Sequence, residues 1–108
     1  MPSEIKRKLV AIVFTDIVEY TALSAKDSNK ALEVLSKQRE IITPILNQYN
    51  GNLLKEIGDA LLITFESATS ALECAIEIQK QTKNIENLNL RIGIHEGEVG
   101  LRDGDAFG

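Results

Sequence analysis

An α+β fold is what this sequence predicts, in the chain order β-α-β-β-α-β. Its antiparallel-rich, four-stranded sheet carries two helices on one face. Three observations predict it. An apolar, β-branched run, KLVAIVFT, is followed by a long helical pattern. A Gly-Asp break then separates two short strand-like runs, NLLKEI and ALLITF. A second helical pattern leads into an alternating run, LNLRIGI. That order is the split βαβ, or ferredoxin-like, arrangement.

Each element has its own warrant. Residues 8–15 are apolar on both alternating faces, so the first strand wants cover on both sides. Asp27 and Ser28 supply capping side chains for a helix over 28–48. Leu32, Leu35, Ile42, Ile45 and Tyr49 recur along it at helical spacing, with a bend expected at Pro44. Asn50-Gly51 reads as that helix's C-terminal cap. Gly58-Asp59 between two apolar runs is a tight-hairpin signal. Ser67 caps a helix over 68–83, with Ala68, Ala71, Leu72, Ala75 and Ile78 facing inward. Leu88, Leu90, Ile92 and Ile94 alternate as a fourth strand. The ending, EGEVGLRDGDAFG, reads as a turn or the start of another hairpin. Residues 1–7 form a lead-in, and 8–108 form the domain.

Composition narrows the function classes. The 108 residues are one domain's length, and 44% are apolar, enough for a core without metals or disulfides. A net charge of −4 argues against a general nucleic-acid surface. No stretch is long and apolar enough to span a bilayer, and MPSEIKRK has no secretory hydrophobic region. The single cysteine, Cys74, leaves no internal disulfide and reads as a small buried hydrophobe in a reducing, cytoplasmic setting.

The topology gives Asp16 a neighbour. With strand one between strands three and four, strands one and two run parallel. Their C-terminal ends then share one edge of the sheet. Asp16 ends the first strand, and Asp59 sits at the hairpin tip beyond the second. Close carboxylates repel and require a proton or a cation. Magnesium is commonly held by one or two carboxylates together with substrate phosphates. On the residues alone, two other roles stay open: Asp59 as an ordinary turn residue and Asp16 as a cap for the next segment.

The motif FTDIVEYTAL, the hairpin LLKEIGDALLITF, the strand LRIGIHEGEV and the ending DGDAFG together resemble the class III adenylate/guanylate cyclase catalytic domain of bacterial type. The resemblance runs in order from about residue 8 to the last residue. It implies conversion of ATP to 3′,5′-cyclic AMP and pyrophosphate, with attack by the ribose 3′-hydroxyl on the α-phosphorus. It implies two Mg2+ or Mn2+ ions per site, held by Asp16 and Asp59, with the Ile17 carbonyl adding an oxygen. It also implies adenine reading by Lys55 and Asp105. An ammonium donates to adenine N1 and a carboxylate accepts from the N6 amino group, whereas guanine has the opposite polarity. Read without the resemblance, Lys55 is a solvated strand lysine and Asp105 a turn residue.

Departures from the family pattern bear on activity. Glu19 stands where the family commonly has glycine. Arg91 alternates away from the apolar face and reads as a solvated or interface residue, and His95 reads as structural. The family's asparagine and arginine that orient ribose and stabilise the transition state follow the DAFG-like segment. They are absent from these 108 residues, so the expectation is a partial domain with little or no activity by itself. Strand one is apolar on both faces while two helices cover only one. The uncovered face therefore seeks a partner, and the resemblance implies that the partner is a second copy, in a homodimer with active sites shared between protomers. The alternative is a non-catalytic dimerisation or nucleotide-sensing module of the same fold. A diguanylate cyclase is disfavoured because EIGDA lacks that family's glycine-glycine-acidic-acidic signature.

Overall fold

The computed structural model describes residues 6–102 and 105–107, some near both ends by backbone alone. The elements are β1 (Lys6–Ile17), α1 (Tyr20–Lys26), α2 (Ser28–Gln48), β2 (Asn52–Ile57), β3 (Ala60–Phe65), α3 (Ala68–Thr82), β4 (Leu90–Arg102) and β5 (Asp105–Phe107). The strands form one sheet in the order β2-β3-β1-β4-β5, antiparallel at every step. β1 lies between β3 and β4, as the sequence predicts. Two antiparallel steps make β1 and β2 parallel, so their C-terminal ends share an edge.

Alternation along β1 separates the two faces. Ala11, Val13, Thr15 and Ile17 are buried. The apolar ones join Ile63 and Phe65 of β3, Ile42 and Ile45 of α2, and Ile78 of α3 in one core. Phe14 points the other way and is 44% exposed. Its cross-strand partners Leu62 and Gly93, and Lys55 beyond Leu62, share that helix-free face. Ile57 lies there too and is 65% exposed.

The helices follow their caps. Asp27 ends α1 and opens α2, its Oδ1 accepting from the Lys30 amide at 3.1 Å. At the other end of α2, Asn50 takes φ 57°, and the Gly51 amide donates to the Leu46 carbonyl at 2.8 Å. That is the Schellman pattern, with asparagine in the left-handed place. Ser67 caps α3 through the Ser70 amide. Cys74 is buried in α3, and burial pushes its thiol up to about 11.

The structure corrects several expectations. Among the described residues there are three helices rather than two, because the chain turns through α1 directly after the first strand. Seven residues are too few for a helical period to register in the sequence. The hairpin start expected in the ending is there as β5 pairing with β4, but β4 itself runs on to Arg102, and β1 runs past its expected bounds to Lys6 and Ile17. Leu32 and Leu72 are exposed. Ala31, Val34 and Gln38 take the inner face of α2, and Cys74 and Thr82 join the inner face of α3. Ala68 is also exposed. Leu88 is buried but precedes β4. α2 continues through Pro44, whose position is exposed.

Gly51 gives a direct test of the α2–β2 corner. A Cβ there would sit 2.9 Å from Cε2 and Cζ of Phe65 and 3.2 Å from Cγ2 of Ile63. Both neighbours are buried and cannot swing away. Gly51→Ala is expected to cost roughly 1–3 kcal/mol, the usual range for an overpacked core. Urea unfolding reads this as a lower midpoint at unchanged slope.

Candidate active site

The site is built where two backbone ends meet. Gly58 adopts φ +60°, and the flanking Ile57 and Ala60 pair directly. Positive φ at the first central position is the type II′ hairpin pattern, which leaves Asp59 at the tip. Thr15 pairs with Leu61, so the register carries Asp59 level with Ile17. There the Ile17 amide donates to Asp59 Oδ2 at 2.7 Å. Behind the tip, Gln38 Nε2 of α2 donates to the Asp59 carbonyl at 3.4 Å.

Asp16 lies one residue before Ile17 and faces Arg91, its direct partner on β4. The Arg91 Nε donates to Asp16 Oδ1 at 2.8 Å, with Asp16 26% and Arg91 70% exposed. That hydrogen bond and the Asp16 charge raise the Arg91 guanidinium further above its usual range, and the Asp59 charge adds to the effect. Asp16, Ile17, Asp59 and Arg91 line one cavity of 270 Å³ with Glu19 and Tyr20. The larger clefts elsewhere on the described residues hold different chemistry. A groove at the far end of the sheet is crossed by the Lys8–Glu66 ion pair, and an apolar groove runs between α3 and β4.

Of the residues singled out in the sequence, Asp16, Ile17 and Asp59 come together. Lys55 is exposed on the helix-free face of β2, outside this cavity. Asp105 is placed by its backbone in β5, opposite Arg102, and its side chain lies outside the described residues. His95 is exposed opposite Ile12 and does not line the cavity. Arg91 is exposed as expected, but it is an ion-pair partner of Asp16 rather than a merely solvated residue. Its signal was the β1–β4 register, which alternation alone does not fix. Gln38 was also missed; the available signal was a glutamine midway between Val34 and Ile42 on a buried helical stripe.

The donor set fits a hard divalent cation. Among the described residues no group of three or more His, Cys, Asp or Glu is arranged to hold a metal. Two carboxylates in a solvent-open cavity still match magnesium, which takes its remaining oxygens from phosphates and water. Asp59 Oδ2 and Asp16 Oδ1 are occupied by protein donors, so the open valences lie on their other oxygens.

An antiparallel α+β sheet with two carboxylates at one edge and a core order of β2-β3-β1-β4 is the arrangement expected of a nucleotidyl cyclase type of domain. The chain belongs to the adenylate and guanylate cyclase catalytic domain family, whose model matches residues 4–102. It is 30% identical over 112 residues to a putative adenylate cyclase 3 of Rhizobium meliloti (strain 1021), a match covering 96% of this chain and 19% of that protein. Among solved structures, it resembles an adenylate/guanylate cyclase/hydrolase from Silicibacter pomeroyi, with a TM-score of 0.84 and 34% identity. That match covers 97% of this chain and 66% of the other. It also resembles a dimeric guanylyl cyclase domain of the RhoGC fusion protein from Blastocladiella emersonii, with a TM-score of 0.78 and 26% identity, over 91% of this chain and 62% of that one. The chain therefore spans a small part of its curated relative and about two thirds of the solved domains.

Glu19 explains a departure from the family pattern in physical terms. It sits at φ 61° and ψ 24°, left-handed, and its side chain makes no capping bond to α1. Glycine takes that conformation without steric cost. Glu19→Gly should relieve roughly 1–2 kcal/mol of backbone strain. The added freedom of the unfolded chain returns about 0.5–1 kcal/mol of that. A net rise in the urea midpoint is expected, and an unchanged or lower midpoint would contradict the strain argument.

Proposed function

We propose that this domain forms part of an adenylate cyclase, converting ATP to 3′,5′-cyclic AMP and pyrophosphate in signal transduction. One observation carries the reading: Asp16 and Asp59, 43 positions apart in the sequence, line one cavity at the end of β1. In the reaction the ribose 3′-hydroxyl oxygen forms a bond to the α-phosphorus. The bond from that phosphorus to the bridging oxygen of the β-phosphate breaks, the hydroxyl proton is lost, and pyrophosphate leaves. Asp16 and Asp59 hold Mg2+ or Mn2+, with the Ile17 carbonyl as a third oxygen donor. Two such ions, when bound, supply Lewis-acid stabilisation of charge at the reacting oxygens.

The chain's own residues do the positioning. The Ile17 amide holds Asp59 Oδ2, so this carboxylate presents its other oxygen without a free rotor. Arg91 places a guanidinium beside both acids and offsets part of their charge. Lys55, exposed on the helix-free face, is the residue proposed to read adenine, together with Asp105. A buried, unpaired Cys74 suits a reducing cytoplasmic setting. Among the described residues, no helix is long and apolar enough to cross a membrane.

The active unit in this reading is a homodimer. The helix-free face exposes Phe14 and Ile57, apolar surface that a second copy would cover; the RhoGC domain itself is described as a non-canonical dimer. A concentration-dependent rise in sedimentation coefficient at micromolar protein is expected. A species that stays monomeric up to millimolar concentration would contradict this assembly.

The assay that tests the chemistry uses the chain continued to the length of its solved relatives, supplied with ATP and Mg2+ or Mn2+. Cyclic AMP formation is expected, and Asp16→Ala or Asp59→Ala should lower it by about two orders of magnitude or more. The 108-residue chain alone should turn over little or none. Nucleotide binding without any turnover in the longer protein would support a nucleotide-sensing module instead, a reading that the strained Glu19 beside the cavity favours.

A further inference from the structure

We propose that Gln38 is a positioning residue that sets the height and rotation of the Asp59 hairpin tip, and through it the affinity of the carboxylate pair for a divalent cation. The inference rests on Asp59 being a metal ligand, as argued above.

The stripe of α2 that faces the sheet consists of Ala31, Val34, Gln38, Ile42, Ile45 and Leu46. Five are apolar, and Gln38, at 2% exposure, is the exception. A leucine or methionine would satisfy the helical pattern there and bury no polar atom. Burying an amide is unfavourable unless its groups find partners. Gln38 meets only half of that requirement. Its Nε2 donates to the Asp59 carbonyl, while its Oε1 is buried with no hydrogen-bond partner. The one bond it makes goes to the residue that carries the carboxylate.

The position of that bond gives it leverage. A type II′ tip is secured at its base by the Ile57–Ala60 pair, and the Asp59 carbonyl, in the peptide unit that leads into Ala60, receives a second hold from α2. Gln38 grips this peptide from the helix side, and Ile17 grips the side chain from the β1 side. Two anchors on opposite sides fix both the backbone and the carboxylate plane. Without Gln38 the tip keeps its base pair and the Ile17 bond but loses its tie to α2, so the Asp59 carboxylate is held less closely at its distance from Asp16. Outer partners that orient metal ligands typically carry about 10- to 100-fold in metal affinity.

The test measures Mn2+ binding by electron paramagnetic resonance on the purified protein, without nucleotide. It also follows amide hydrogen exchange at Ile17. Gln38→Met and Gln38→Leu remove the donor while suiting the apolar core. Ile78→Val, in α3 away from the site, controls for a general loss of core stability. Native protein is expected to bind Mn2+, and Asp59→Asn to lose that binding. Both Gln38 variants should bind Mn2+ about tenfold or more weakly. Their Ile17 amide should exchange faster by a similar factor, while Ile78→Val changes neither reading. Native Mn2+ affinity in the Gln38 variants would overturn the proposal. If native protein and Asp59→Asn bind Mn2+ equally, the ligand role of Asp59 fails. The Ile17 exchange rate then decides the positioning role, because unchanged protection in both Gln38 variants refutes it.

Discussion

The hydrogen bond from the Ile17 amide to the Asp59 carboxylate is the constraint on which the site depends. It exists only if the β2–β3 hairpin ends level with the last residue of β1. That requires three facts at once: β3 between β1 and β2, a two-residue turn, and the Thr15–Leu61 register. A slip of one residue would carry every side chain of the strand to the opposite face. Ile63 and Phe65 would then leave the core for the open side. The burial of these apolar residues therefore fixes the location of the two acids, and the acids contribute nothing to that choice.

Magnitudes support this division. The Asp16–Arg91 pair is short, but Arg91 is largely exposed, so solvent screens most of the attraction and the pair adds little to the fold. A buried core residue such as Ile63 contributes roughly 1.5–3 kcal/mol by burial alone. The ion pair is accordingly a tuning element rather than a structural one. It balances charge at Asp16 and can be exchanged for another cation at small cost to the fold.

Local chemistry made much of this legible in the sequence. Asp27 and Ser67 mark helix starts because each side chain satisfies a backbone amide three residues on, and Asn50 marks an end because its left-handed φ brings the Gly51 amide to the Leu46 carbonyl. The Gly58-Asp59 turn reads the same way, since its geometry demands glycine at one known position. The failures share the opposite origin. Leu32 and Leu72 sit at helical spacing from core residues, yet the stripe that packs is rotated away from them. Arg91 and Gln38 acquire their roles through residues 75 and 21 positions away, and such pairings depend on register and packing that no local pattern encodes. Asp16 and Asp59 come together because topology, rather than a local signal, places their strand ends at one edge of the sheet.

The cavity and the open face of the sheet are not independent. Phe14 belongs to both: it lines the cavity beside Asp16 and is exposed on the helix-free side. A partner surface laid over Phe14 and Ile57 would remove apolar area from water, the dominant favourable term in association. The same surface would add a wall beside the carboxylates, lowering the local dielectric and strengthening each electrostatic contact within. Assembly and chemistry would thus be coupled through one aromatic side chain. The protomer alone holds its acids in an open, wet cavity, where Arg91 and solvent screen them. Covering the apolar face would give it a drier site.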